Sequence, residues 1–196
     1  AIITSIEDGL FGMCPSLESV TIPESVTSIG DYAFDICHRL TSMTIPEGVT
    51  SIGTCAFQNC YNLTTINIPD NVTSIGEAAF FGCTSLGDVT IPDGIKTIGD
   101  YTFHLCESLT SVTVPNSVTS IGKGAFSLCA GLTDITIENP KCEIGDDLVF
   151  INPLFNTNVD SEKWEGTIHG YKNSPAQKYA EKSGYKFEAL DEPTVP

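Results

Sequence analysis

The stretch that decides the fold is LTSVTVPNSVTSIGKGAFSLCAG, residues 109–131, because close variants of it recur every 23 residues along most of the chain. A repeat of 20–50 residues is the sequence signature of a solenoid, in which each repeat packs against its neighbours. The spacing therefore predicts a stack of similar coils. The residues before and after this array form its two ends.

Stepping along the chain by 23 residues brings the same residue types into rows. The leucine row is Leu17, Leu40, Leu63, Leu86, Leu109 and Leu132, and the phenylalanine row is Phe11, Phe34, Phe57, Phe80, Phe103 and Phe126. A cysteine row follows, with Cys14, Cys37, Cys60, Cys83, Cys106 and Cys129. Like residues should lie over one another in adjacent coils and share one continuous core.

The apolar periods within a repeat predict the shape of one coil. Alternating apolar and polar residues at Val20, Thr21 and Ile22 indicate a short strand with one buried face, and Pro23 ends it. The segment 26–30 is a second, extended side, after which Gly30 is expected to allow a corner. Apolar residues at steps of one, three and three in the segment 33–40 then predict about a turn and a half of helix.

The consensus L-x-x-I-x-I-P-x-x-V-x-x-I-G-x-x-A-F-x-x-C, which covers about residues 3–150, resembles the BspA-like branch of the leucine-rich repeats. The resemblance implies a repeat solenoid of the α/β class. It would be a right-handed array of about six coils with parallel strands on one side, and the short extended segment and helical turn on the other. It also implies a non-enzymatic, protein-binding or adhesion module of an extracellular or cell-surface bacterial protein.

The chain divides into three predicted parts, which are a solenoid at 1–150, a C-terminal cap at 151–190 and a linker or tail at 191–196. The chain opens in the middle of a repeat, which we interpret as truncation of a longer protein. Within the cap we expect a polar loop at 151–163, strands near 166–170 and 185–190, and a helix at about 174–183. Ser174 as N-cap, Pro175 at the first helical position and Gln177 form a capping-box pattern.

Charge and hydropathy exclude two classes of partner. With 9 basic and 25 acidic residues, the formal charge of -16 argues against binding to nucleic acid or anionic lipid. No apolar run is long enough to cross a membrane. We expect a monomer that binds a protein, a host or matrix protein being one candidate.

A column of acidic residues follows the strand-ending prolines and is interpreted as solvated turn residues: Glu24, Glu47, Asp70 and Asp93.

The eight cysteines favour neither a zinc site nor disulfides. No C-x-x-C pair is present. Parallel side chains on adjacent rungs would hold their Cβ atoms about 5 Å apart, where a bridge needs about 3.8 Å. Free thiols that fill a core row are therefore predicted. Cys55 and Cys142 lie outside this row, and Cys55 is expected to be exposed.

No catalytic motif, cofactor site or metal site is found in the sequence, so binding must depend on positions that vary from coil to coil. The variable positions near the phenylalanine and cysteine rows carry aromatic side chains, which are common binding anchors. The predicted protein-binding residues are Tyr32, Tyr61, Phe81, Tyr101 and His104. Leucine-rich repeats in general more often bind through their sheet, which here carries mostly threonine. The alternative function is a passive spacer or scaffold that presents a neighbouring domain.

Overall fold

The computed structural model describes residues 2–149 and 164–191 of the chain. The predicted polar loop at 151–163 and residues 192–196 of the predicted tail lie outside this described part. The elements in chain order are β1 (Ser5–Ile6), β2 (Ser28–Ile29), β3 (Ser42–Thr44), β4 (Ser51–Ile52), β5 (Thr65–Asn67), β6 (Ser74–Ile75), β7 (Thr97–Ile98), β8 (Ser111–Val114), β9 (Ser120–Ile121), β10 (Asp134–Ile137), β11 (Glu143–Ile144), β12 (Thr167–Gly170), α1 (Pro175–Ser183) and β13 (Lys186–Ala189).

The strands form the two sheet-bearing sides of a solenoid. On the first side the sheets have the orders β1-β2-β4-β6 and β7-β9-β11, and on the second β3-β5 and β8-β10-β12-β13. Every strand pair is parallel, and within the array the register is set by the repeat, as in the pairing of Ile29 with Ile52. This confirms the predicted repeat solenoid. We call the second side the threonine face, after its outward row of Thr21, Thr44, Thr90, Thr113 and Thr136.

The apolar side chains on the third side of each coil face the core as predicted. The backbone there, however, does not form the helical turn that we expected. Asp35 N donates to Tyr32 O at 3.1 Å, which closes a tight turn. Tyr32 N and Phe34 N instead donate to carbonyls of the following coil, at 2.9 and 2.7 Å. Tyr32 also has a positive φ of 56°, which no right-handed helix contains. Successive tight turns, and not a helix, therefore place the apolar residues at steps of one, three and three on the core side. The amides that do not close these turns donate to carbonyls of the next coil.

A ladder of phenylalanine rings fills the core beneath these turns. Adjacent rings from Phe11 to Phe126 stack with centroids 5.2–5.4 Å apart and planes within 12° of parallel. Beside it, each buried row cysteine donates its S–H to a phenylalanine carbonyl of the preceding coil. Cys60 Sγ, for example, lies 3.2 Å from Phe34 O. The cysteines thus pack as small apolar groups and also satisfy a buried acceptor.

The glycine row that follows each isoleucine has a different role from the corner expected at Gly30. No positive φ is found at Gly30 or Gly53. A Cβ built on Gly53 would instead lie 2.6 Å from Asp31 N of the preceding coil. Real Cβ atoms do not approach a backbone nitrogen so closely, so glycine is needed here for the spacing between coils. The carboxylate of Asp31 in turn accepts a hydrogen bond from Thr54 N at 2.7 Å.

Threonine hydroxyls reinforce the first side, and the sheet there is interrupted where they are missing. Thr50 Oγ1 donates to Thr27 O at 3.3 Å, and Thr73 Oγ1 to Thr50 O at 3.3 Å. The next residue in this row is Lys96, which has no hydroxyl. The same point separates β6 from β7, which belong to different sheets.

The described C-terminal residues pack onto the last coil of the array. Helix α1 begins after the N-cap Ser174, whose hydroxyl accepts from Gln177 N at 3.2 Å. It ends at Ser183 and is capped by Gly184, which has a φ of 68°. Both strands expected around the helix form, as β12 and β13. The buried Trp164 donates its Nε1–H to Leu132 O at 2.7 Å, and Tyr185 donates its hydroxyl to Val149 O at 2.7 Å. The division into solenoid, cap and tail remains a prediction.

Candidate functional site

The five aromatic residues singled out from the sequence lie on the side of the solenoid that consists of tight turns. We call this the turn surface and define it as the segments 31–39, 54–62, 77–85, 100–108 and 123–131. Three rows of variable residues run across it. They are Tyr32, Cys55, Ala78, Tyr101 and Gly124; Asp35, Gln58, Phe81, His104 and Ser127; and His38, Tyr61, Thr84, Glu107 and Ala130.

The N-terminal part of the turn surface holds two of the predicted residues and a histidine. Tyr32 and Tyr61 are 49% and 41% exposed, which is unusual for large side chains in this fold. The ring of His38 stacks on that of Tyr61 in the following coil, with centroids 4.6 Å apart and planes 20° from parallel. The pair is 23 residues apart, so the coil spacing itself places the two rings in contact.

The other three predicted residues form one cluster in the middle of the turn surface. The rings of Phe81 and His104 stack at 4.7 Å with an interplanar angle of 23°. The edge of Tyr101 meets His104 at 5.6 Å and 86°. All three side chains are half-buried, in contrast to Tyr32 and Tyr61. The structure therefore brings the five residues onto one surface but in two groups.

The hydrogen bonds of His104 define its tautomer. Ser127 donates its only hydroxyl hydrogen to Gly124 O at 3.0 Å, and its Oγ lies 2.5 Å from His104 Nδ1. With the serine hydrogen directed at Gly124 O, Nδ1 carries the proton in this pair. Burial lowers the pKa of His104, so the ring is neutral at pH 7. Its Nε2 is then available as an acceptor, and the pair of rings adds no charge to the surface.

Two of the aromatic residues occupy backbone positions that favour glycine. Tyr32 and Tyr101 have φ values of 56° and 55°, at a position where the last segment of the turn surface has Gly124 with φ 61°. A left-handed conformation costs a non-glycine residue about 1–2 kcal/mol. The Tyr101 ring lies directly over Gly124, where an added Cβ would be 2.7 Å from Tyr101 Cε1. This packing explains glycine at 124 and holds the tyrosine ring in place.

Asp35 is an acidic residue of the turn surface that sequence reasoning did not select. Its Oδ1 is buried and has no hydrogen-bond partner within the described residues. Desolvation raises the pKa of Asp35, while the backbone N–H of Ile36 and then the nearby His38 act in the opposite direction. A buried acceptor without a partner is costly in a native structure. The carboxylate therefore stands out as a group that a bound cation would stabilise.

The prediction that Cys55 is exposed is wrong, since its side chain is 9% exposed. It occupies the row between Tyr32 and Ala78 and lies against Tyr32, and burial raises the pKa of its thiol. Seven of the eight cysteines are buried free thiols, and Cys14 in the first coil is exposed. Burial raises the pKa of Cys37 to about 11 and that of Cys83 to about 12.

The threonine face offers shallow polar clefts instead of aromatic groups. One of 430 Å³ is lined by Asp88, Thr90, Asp93, Ser111 and Thr113 among others. A smaller cleft of 290 Å³ has the equivalent residues three coils earlier, including Thr21 and Thr44. The acidic column of Glu24, Glu47, Asp70 and Asp93 is exposed, as expected of solvated turn residues.

At the C-terminal end of the threonine face, His169 lies between two carboxylates. His169 Nε2 is 2.9 Å from Asp134 Oδ1, and Nδ1 is 3.7 Å from Glu188 Oε2. The hydrogen bond from His169 lowers the pKa of Asp134. The three residues come from β10, β12 and β13, so the group links β12 and β13 to the last strand of the array. No sequence pattern indicated this group, because neither β12 nor β13 belongs to the 23-residue repeat.

Residues 2–149 and 164–191 contain no cluster of His, Cys, Asp and Glu that could hold a metal ion. Among the same residues, no helix has the length and apolarity needed to span a membrane.

Comparison with known proteins supports the fold. A leucine rich repeat protein of T. pallidum is 27% identical, with a TM-score of 0.67 over 95% of this chain and 79% of that one. One from Bacteroides ovatus is 19% identical, with a TM-score of 0.56 over 96% and 76%. The pneumococcal vaccine antigen PcpA is 14% identical, with a TM-score of 0.60 over 97% and 60%. The comparison with curated proteins found no match.

The 23-residue spacing, the parallel strands and the stacked core rows agree with a family model described as a BspA type leucine rich repeat region with six copies. It matches residues 4–101 and 52–162, which is well over half of the chain. The protein therefore belongs to the BspA-type leucine-rich repeat family.

Proposed function

We propose that this chain is a non-enzymatic, protein-binding or adhesion module of an extracellular or cell-surface protein, and that it binds through the turn surface. Membership of a repeat family whose relatives are bacterial leucine-rich repeat proteins supports the general role. A solenoid of this kind presents a long, rigid surface on which a partner can be recognised without a cofactor.

One observation carries the choice of surface: the variable aromatic side chains gather on the turn surface as two groups with defined ring geometry. Tyr and Trp rings on a rigid support are frequent centres of protein interfaces, because they bury much area at little entropic cost. Tyr61 and Phe81 are each stacked on a histidine of an adjacent coil, so both rings are held in place before a partner arrives. The threonine face repeats nearly the same hydroxyl in each coil and offers less to distinguish partners.

A pair of double variants tests this choice against a partner found by screening extracellular host and matrix proteins. Tyr61→Ala with Phe81→Ala removes one ring from each group on the turn surface. Thr90→Ala with Thr113→Ala is the matched control on the threonine face. We expect the first pair to weaken binding by at least tenfold and the second by less than twofold, with circular dichroism confirming that both fold.

Loss of binding only in the threonine variant would refute the turn surface as the binding site and favour the threonine face. The absence of any bound extracellular protein would favour the alternative, a passive spacer that presents a neighbouring domain. The uninterrupted phenylalanine ladder, which makes the array stiff, is the feature that favours that alternative.

A further inference from the structure

The turn surface has an unequal charge. Its five segments carry the carboxylates of Asp31, Asp35, Glu77, Asp100 and Glu107, against the basic side chains of Arg39 and Lys123. Arg39 is already paired, since its Nη2 lies 2.5 Å from Glu18 Oε1 of the preceding coil. The surface that holds the aromatic groups is thus net negative, like the whole chain. A partner that approaches it is favoured when it carries positive charge.

The N-terminal part of this surface combines aromatic rings with a carboxylate. Tyr32 and Tyr61 are the two most exposed aromatic residues of the turn surface. Asp35 closes the tight turn that begins at Tyr32, since Asp35 N donates to Tyr32 O at 3.1 Å. His38, three residues further on, stacks its ring on that of Tyr61 at 4.6 Å. Tyrosine faces attract ammonium and guanidinium groups, and a carboxylate beside them adds an ion pair. We call Tyr32, Asp35, His38 and Tyr61 the tyrosine patch.

We propose that the tyrosine patch binds arginine or lysine side chains of a basic segment in the partner protein. This inference rests on the proposed function and names the chemistry of the partner. Arginine fits better than lysine, because a planar guanidinium can stack on a tyrosine ring and also pair with a carboxylate. A phosphate-bearing partner would instead be repelled by the surrounding carboxylates.

The condition of Asp35 supports the same assignment. Its buried Oδ1 lacks a partner in the described structure, and desolvation disfavours its charged form. A cation bound beside it would stabilise the carboxylate and lower the pKa of Asp35 towards its usual value. Binding of a basic segment should therefore release protons when it is measured near that pKa. A peptide that contacted only the rings would release fewer protons, because its charges would then act only on the more distant carboxylates of the surface.

The test uses capped decapeptides of alternating arginine and serine, with alternating glutamate and serine as the matched probe. Calorimetry at 50 and 300 mM NaCl should detect binding of the arginine peptide alone, weaker at the higher salt concentration. We expect Tyr32→Ala with Tyr61→Ala to weaken it about tenfold, since each exposed cation–π contact contributes a factor of about two to five. Asp35→Asn alone should also weaken binding of the arginine peptide, and it should reduce the proton release relative to the parent protein.

A charge-matched control separates the patch from the general attraction of an acidic protein. Asp70→Asn removes the same charge from the exposed acidic column and should change binding by less than twofold. Equal effects of Asp35→Asn and Asp70→Asn, or unchanged binding by the double tyrosine variant, would overturn the inference.

The proposed function is tested separately, by measuring how the turn-surface variants bind the partner protein identified in the screen. If that partner is lost in Tyr61→Ala with Phe81→Ala while the arginine peptide fails to bind, the turn surface stands and the basic partner is wrong. If neither ligand responds to turn-surface variants, both proposals fail.

Discussion

Replacing Phe80 by alanine tests how the core holds the solenoid together. Phe80 is fully buried, and its ring stacks on Phe57 and on Phe103, with both centroid distances 5.4 Å. A buried phenylalanine replaced by alanine typically costs about 3–5 kcal/mol, and each aromatic stack about 0.5–1.5 kcal/mol. Because these values overlap in part, we expect Phe80→Ala to lower the free energy of unfolding by about 4–5 kcal/mol.

The matched control is Phe11→Ala at the end of the same ladder. Phe11 is half-buried and stacks on Phe34 alone, at 5.2 Å. Less apolar area is lost there and one stack is broken instead of two, so we expect a loss of about 1–2 kcal/mol. Both variants make the same substitution, so the difference between their losses of unfolding free energy reports the effect of the position in the ladder.

Urea unfolding followed by two signals measures both the loss and where it occurs. Far-UV circular dichroism reports the whole array, whereas the fluorescence of Trp164, the one tryptophan in the chain, reports its C-terminal end. Coils couple only to their neighbours, so weakening the middle should make the two transitions separate. Equal losses for Phe80→Ala and Phe11→Ala, or a loss below about 2 kcal/mol for Phe80→Ala with coincident transitions, would refute this account of the core.

Three further outcomes are expected. Native protein at pH 8 should show one fast thiol with Ellman's reagent, Cys14, and eight after non-reducing denaturation; two or more fast thiols, or a recovered disulfide, would contradict the buried row. Removing residues 164–190 should expose apolar rows of the last coil and cause aggregation, measured by light scattering; a truncation as monomeric as the parent would argue against the cap. His169→Ala should raise the Asp134 pKa, measured by carboxyl NMR titration. Since that pKa is lowered in the folded protein, the stabilisation is present above pH about 4 and is lost as the pH falls through the folded pKa; an unchanged Asp134 pKa would mean that the hydrogen bond has no effect.

Most of the fold could be predicted because the repeat supplies its own alignment. The row from Phe11 to Phe126 and the buried cysteines follow directly from the 23-residue step, and the capping box at Ser174 locates α1. The prediction of a helical turn was wrong because apolar residues at steps of one, three and three suit both a helix and a run of tight turns. The choice between a helix and tight turns depends on amides such as Tyr32 N, which donate to the next coil. A local sequence pattern does not contain that information.

The candidate site was less accessible from the sequence. The row positions show that His38 and Tyr61, and likewise Phe81 and His104, are neighbours 23 residues apart. Their stacking depends on side-chain rotamers, which the row positions do not give. The environment of the Asp35 carboxylate and the packing of Cys55 against Tyr32 also depend on how adjacent coils pack together. The signal that could have found the ring pairs was the same 23-residue step, applied to the variable positions.

The most direct test of the central claim is photo-crosslinking to a partner identified by the screen. Benzoylphenylalanine is placed at Glu107, which is exposed on the turn surface beside the central cluster, or at Thr113, which is exposed on the threonine face. Our account predicts an efficient crosslink to the partner from position 107 and little from position 113. A crosslink from position 113 alone, with both variants folded and still binding, would contradict it.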